Sequence, residues 1–136
     1  MPVAPPLRVL VVDDERLIAD TLALILQAHG YSVRQAYSGE DAVSLAERFV
    51  PHAVVSDVVM PEMGASELSD QLLAERPGLK VLYISGYTSD EVVRRGISRQ
   101  DAAFIQKPFT PEDLMRKVRE VLDQNEKVTS PLPASS

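Results

Sequence analysis

The chain has no cysteine and no tryptophan, only two histidines, and aromatic residues fill just 5% of its 136 positions. Without cysteine it forms neither disulfides nor thiolate metal sites. No apolar run approaches the roughly 20 residues that span a bilayer, so no membrane association is expected. Lys and Arg are unclustered and the formal net charge is −6, whereas phosphate-backbone binding needs a basic face. Direct contact with nucleic acid is therefore not expected. The start, Met1-Pro2-Val3-Ala4-Pro5-Pro6, lacks the basic region of a signal peptide, and the apolar run after it is cut short by Asp13-Asp14. The expectation is a soluble, cytoplasmic protein.

What is present is ordinary for a globular domain: 45% hydrophobic and 25% charged residues. One domain is expected, large enough to bury roughly two-thirds of its unfolded surface. Val9-Leu10-Val11-Val12 reads as a buried strand and ends at Asp13-Asp14-Glu15. A helix follows with Ile18, Leu22, Ile25 and Leu26 as its apolar stripe, closed by Gly30. Tyr31 to Ala36 is a second strand. Ser38 caps a helix that buries Ala42, Leu45, Ala46 and Phe49 and stops before Pro51. Val54-Val55-Ser56-Asp57-Val58-Val59, ending at Met60-Pro61, is the central strand. A helix from about Ser66 to Arg76, a strand over Val81–Ile84, a short helix from about Ser89 to Arg95 and a strand over Ala102–Ile105 come next. The last helix has the plainest start, with Thr110 as cap, Pro111 as first helical residue and two acids behind it. Residues 1–6 read as a flexible arm, 7–123 as the domain and 124–136 as a disordered tail.

Five repeats of strand then helix imply an α/β fold, a doubly wound parallel sheet with helices on both faces. Right-handed crossovers leave the order 2-1-3-4-5 as the preferred one. Ligands in such sheets bind beyond the carboxyl ends of the strands. Four strands end there in chemically useful groups: Asp13 and Asp14, Asp57, Ser85, and Lys107. Each alone has an ordinary explanation, such as a dipole-friendly acid pair, a turn or a solvated lysine. Together, on one edge, they suggest chemistry. Three crowded carboxylates suit a hard divalent cation such as Mg²⁺, which takes oxygen ligands and keeps several waters. An ammonium and a hydroxyl beside them suit phosphoryl oxygens. A carboxylate can itself be the nucleophile and form an aspartyl-phosphate.

These stretches resemble the receiver domain of two-component response regulators. Val9 to Glu15 is similar to its first strand and acid pair, and Ser56-Asp57-Val58-Val59-Met60-Pro61 to its phospho-acceptor segment. Ile84-Ser85-Gly86-Tyr87 and Phe104-Ile105-Gln106-Lys107-Pro108-Phe109 complete a likeness over about residues 7–123. The resemblance implies a flavodoxin-like three-layer sandwich that switches on phosphorylation and is no enzyme beyond its own phosphoryl transfer and dephosphorylation. It implies that Asp57 accepts phosphoryl from the phosphohistidine of a histidine kinase or histidine phosphotransfer protein. Asp14, Asp57 and the Val59 carbonyl would ligate Mg²⁺, with Asp13 acting through water. Ser85 and Lys107 would hold phosphoryl oxygens, and Tyr87, Phe104 and Pro108 would couple the site to the surface. A cis Lys107-Pro108 bond is expected, as in the family. The output face would comprise the helix over 89–95, the fifth strand and the last helix. That face would meet a downstream protein target or an attached hybrid kinase, and it leaves a homodimer open.

The sequence departs from the family in two places. Ala65 stands where a glycine is frequent, with Gly64 just before it, and Phe104 stands where several relatives carry tyrosine. The segments around Ser85 and Lys107 look most like receivers of hybrid histidine kinases. Two other functions compete with this one. An aspartate-dependent phosphohydrolase of small molecules needs a general acid two residues after its nucleophile, and Val59 cannot donate a proton. A phosphorylation-independent interaction module need not keep Asp14, Asp57, Ser85 and Lys107 together. His29 and His52 are not expected to carry phosphoryl groups. With no output domain in these residues, the signal is expected to leave through a surface or pass to another phosphoryl carrier.

Overall fold

Val9, Leu10, Val11 and Val12 are all buried, odd and even positions alike. A strand whose alternate side chains point to opposite faces can do this only where both faces are covered. The computed structural model, which describes residues 5–58, 65–86 and 103–129, shows such a sheet. Its strands are β1 (Arg8–Val12), β2 (Ser32–Ala36), β3 (Ala53–Asp57), β4 (Lys80–Ser85) and β5 (Ala103–Gln106). All neighbours pair in parallel, in the order β2-β1-β3-β4-β5. Between them run α1 (Arg16–Ala28), α2 (Gly39–Phe49) and α3 (Ala65–Glu75), and a C-terminal helix (Pro111–Thr129) follows β5.

The two faces form separate cores. Val9, Val11, Val55, Leu82 and Ile84 pack against α1 and the C-terminal helix, where they meet Leu22, Leu26, Leu114, Val118 and Val121. Leu10, Val12 and Val54 pack against Ala42 and Ala46 of α2 and Leu68 and Leu72 of α3. Under the far side of the second face, Val58 and Tyr83 form a small cluster with Val81 and Phe104. The stripe expected on α1 is shifted. Ala19 and Ala23 are buried beside Leu22 and Leu26, while Ile18 and Ile25 flank them half-buried. Small residues let the helix axis approach the sheet.

Caps fix where the helices begin and end. The Ser38 hydroxyl accepts the Asp41 N–H at 3.1 Å. Thr110 and Asp113 form a reciprocal box: Asp113 N–H donates to Thr110 Oγ1 at 3.0 Å, and Thr110 N–H to Asp113 Oδ2 at 3.2 Å. Gly30 takes a left-handed φ of 97° after α1, the conformation glycine adopts freely. After α2 the turn is made at Val50, with φ 51°, one residue before the Pro51 that the sequence marks as the stop.

Strand and helix bounds otherwise fall close to those expected, with one larger correction. The C-terminal helix runs on to Thr129, past the boundary at Asp123. Residues 124–129 contain no glycine or proline, so nothing stops the helix until the approach to Pro131. The expected helix over 89–95, the loop carrying Val59, Gly64 and its neighbours, and Tyr87 lie outside the described residues.

Candidate functional site

Parallel register assembles the site. Val12 pairs with Ser56, Asp57 with Ile84, and Ser85 with Gln106. Asp13, Asp57, Ser85 and Lys107 therefore emerge on one edge, each at or just past the last paired residue of its strand.

Asp13 is almost wholly buried at 1% exposure. Its N–H extends the ladder to the Ala36 carbonyl at 3.2 Å, and its Oδ1 accepts the Glu15 N–H at 2.9 Å. Its Oδ2 is buried with no hydrogen-bond partner among the described residues. A buried carboxylate oxygen left so is costly unless something positive reaches it. Asp14 is exposed. Ligand oxygens of Asp13, Asp14 and Asp57 all lie within 4.8 Å of one another. Like charges at that range repel by on the order of 3 kcal/mol at the effective dielectric of a protein.

The electrostatics record this crowding. The Asp57 carboxyl is pushed up from 3.8 to about 6, by burial first and by the charge of Asp13 next, with Asp14 adding and Lys107 opposing. Burial also raises Asp13, against the Glu15 N–H and the Lys107 charge. Lys107 Nζ stands 3.8 Å from Asp57 Oδ1. That is an ion pair but too long for a hydrogen bond, so the ammonium faces the carboxylate across a gap. Neutralising the cluster thus needs more positive charge than the described residues supply, and the all-oxygen donor set fits a hard divalent cation.

Ser85 is completely buried, and its carbonyl accepts the Lys107 N–H at 2.7 Å. The end of β4 and the lysine are thereby fastened together. The Lys107-Pro108 bond is cis, as expected. Phe104 is partly buried against the Val58–Tyr83 cluster. Of the residues singled out by sequence, Asp13, Asp14, Asp57, Ser85, Lys107, Phe104 and Pro108 are described at or near this edge; Val59 and Tyr87 lie outside the described residues. Both histidines sit elsewhere in structural roles. His52 Nδ1 accepts the Arg8 N–H at 2.9 Å, and His29 Nδ1 donates to the Ile25 carbonyl at 2.9 Å. The backbone groups of Glu15 and Ala36 that hold Asp13 carried no signal in the sequence, because any residue type supplies them.

The family model for the response regulator receiver domain matches residues 9–119. The chain is 36% identical over 123 residues to the transcriptional regulatory protein CreB of Escherichia coli, covering 90% of this chain and 53% of that one. It is 35% identical over 120 residues to the sensor kinase CckA of Brucella abortus, covering 87% of this chain and 13% of that one. The chain thus spans about half the length of the curated regulators it matches, and a small part of the kinase. Among solved structures, a CheY-like receiver domain protein from Methanospirillum hungatei superposes with a TM-score of 0.77 at 31% identity, covering 90% of this chain and 98% of that one.

Proposed function

The chain belongs to the response regulator receiver domain family, and on that premise we propose that it is a phosphorylation-dependent switch of a two-component system or phosphorelay, with Asp57 as acceptor. The observation that carries this is the Asp57 carboxyl at the carboxyl edge of the sheet, within 4.8 Å of the ligand oxygens of two further acids and faced by an ammonium at 3.8 Å. In its ionised form that carboxylate is available as a nucleophile. One Asp57 oxygen attacks phosphorus of a phosphohistidine on a histidine kinase or histidine phosphotransfer protein. The P–N bond breaks, its electron pair leaves with the imidazole, and a P–O bond to Asp57 forms an acyl phosphate.

Asp14 and Asp57, with the Val59 carbonyl and with Asp13 through water, would hold Mg²⁺. When bound, that ion neutralises charge on the carboxylates and on the phosphoryl oxygens. Lys107 and Ser85 then supply the ammonium and hydroxyl that read the transferred group. Their response passes to the face made by residues 89–95, β5 and the C-terminal helix, through Tyr87, Phe104 and Pro108. Phe104 has no hydroxyl, so its part is packing. The unit that switches takes in residues 7–123, and the protein acts in the cytoplasm; no helix among the described residues is long and apolar enough to cross a membrane. Beyond turning over its own phosphoryl group it catalyses nothing. Its output goes to a protein target or an attached hybrid kinase, or to a second copy through the same face.

Incubation with acetyl phosphate and Mg²⁺, followed by intact mass measurement, tests this. One acid-stable, base-labile phosphoryl group is expected, and none on Asp57→Asn. Labelling of that variant at the wild-type rate would sink the assignment.

A further inference from the structure

Tyr83 is 3% exposed in the middle of β4. Its hydroxyl lies 2.5 Å from Ser69 Oγ of α3, and the bond is buried. Tyr83 shares its face of β4 with Ser85, two residues along. Its ring packs in one cluster with Val58, the residue after Asp57, and with Phe104, its register partner on β5. One side chain thus touches the residue next to the acceptor, lies on the strand that ends in Ser85, and is bonded to a helix outside the proposed output face.

Stability alone does not account for the pair. A buried hydroxyl–hydroxyl bond adds only about 0.5–1.5 kcal/mol net to a fold. What the pair adds is direction: a hydroxyl bond fixes β4 to one point on α3, while apolar packing lets the surfaces slip. Phe104, in register across the strand gap, lacks the hydroxyl to make such a bond. The outer side of α3 exposes Glu67, Gln71, Ala74 and Glu75.

We infer that Tyr83 is a positioning residue of the switch, which through Ser69 carries the phosphoryl-dependent movement of β4 into α3, so that α3 shares in the output surface. This rests on the proposed phosphorylation of Asp57. When Ser85 is drawn toward a phosphoryl oxygen, Tyr83 moves with its strand and takes Ser69 along.

The test is amide exchange of the full chain with and without acetyl phosphate and Mg²⁺, with intact mass on the same samples. In the wild type, phosphorylation is expected to change exchange in residues 65–75 as well as in 103–109. Tyr83→Phe keeps the ring and should reach the same phosphoryl occupancy. It should retain the change in 103–109 and lose most of that in 65–75. Ser69→Ala should do the same, and the loss in the double variant should fall short of the sum of the two singles, as expected of a shared bond. A merely structural role would lower protection equally in both states and leave their difference intact. An α3 response of wild-type size in Tyr83→Phe, or a phosphorylated wild type that responds in 103–109 alone, overturns the inference. Absence of any mass increase overturns instead the reading of Asp57 on which it rests.

Discussion

The two edges of the sheet are built from the same parallel ladder and are chemically opposite. At the amino edge hydrogen bonds tie the strand ends to one another. Arg8 N–H donates to His52 Nδ1, His52 N–H to the Arg8 carbonyl, Lys80 N–H to the His52 carbonyl, and Arg8 Nε to the Val50 carbonyl. At the carboxyl edge three carboxylates crowd together, and among the described residues one of their oxygens is buried without a partner and the Lys107 ammonium stands off at 3.8 Å. One edge holds the strands in register. The other holds unfavourable charge in place because the register leaves it no escape. A site that is costly when empty has the most to gain from a cation or a phosphoryl group.

That contrast gives the edges opposite pH signs. Asp57 has a folded value of about 6, above its ordinary 3.8, so the native state binds this proton better than the unfolded one. Its contribution is greatest at low pH and is lost as pH rises through about 6. His52 is lowered by burial and by the Arg8 charge. Its contribution is full above its ordinary 6.5 and is lost as pH falls below it.

The largest expected effect comes from relieving the crowded edge. In metal-free buffer above pH 7, Asp57→Asn should raise stability, by at most about 3 kcal/mol for a carboxyl moved from 3.8 to about 6. Urea melts at pH 5 and pH 8 check it, and a variant no more stable than wild type at pH 8 would show that the edge is not strained. Next comes Mg²⁺, which at 100 times its dissociation constant should stabilise the wild type by about 2.7 kcal/mol. Asp14→Ala should lose most of that gain, and an equal rise in melting temperature for both proteins would place the ion elsewhere. The affinity for Mg²⁺ should itself weaken below about pH 6 as protons compete for Asp57.

His52→Ala breaks the quiet edge. It leaves the Arg8 N–H without its acceptor and should cost about 1–2 kcal/mol, with phosphorylation of Asp57 unchanged by intact mass. A large loss of labelling in that folded variant would mean that the edges are not independent. The smallest stability effect belongs to Lys107→Ala, under about 1 kcal/mol for a long, partly exposed ion pair. Phosphorylation should persist there while the exchange response of residues 103–109 fails, and a normal response would remove Lys107 from the switch.

The carboxyl edge was legible in the sequence because parallel pairing turns a one-dimensional fact into a spatial one. Apolar runs that end in Asp13, Asp57, Ser85 and Lys107 must bring those residues together once the strands lie side by side. The amino edge was not legible. No local pattern marks His52, and its bond to Arg8 depends on a register that the sequence does not spell out. The left-handed turn at Val50 was equally hidden, since a β-branched residue is among the least expected there. Ala19 and Ala23 were missed in α1 because a hydrophobic stripe is sought among large residues, while close helix–sheet approach selects small ones. The Tyr83–Ser69 bond joins positions on different elements, and no local pattern marks it.

The C-terminal helix has a mechanical consequence. Its 19 residues span roughly 28 Å, against roughly 13 Å for the 4 residues of β5 beside it. It starts beside Lys107 and is gripped by the core through Leu114, Val118 and Val121. Beyond Val121 the helix continues to Thr129. A tilt at the capped end displaces Thr129 in proportion to the length beyond the pivot, so a sub-ångström adjustment around Lys107 becomes a larger stroke at the far tip.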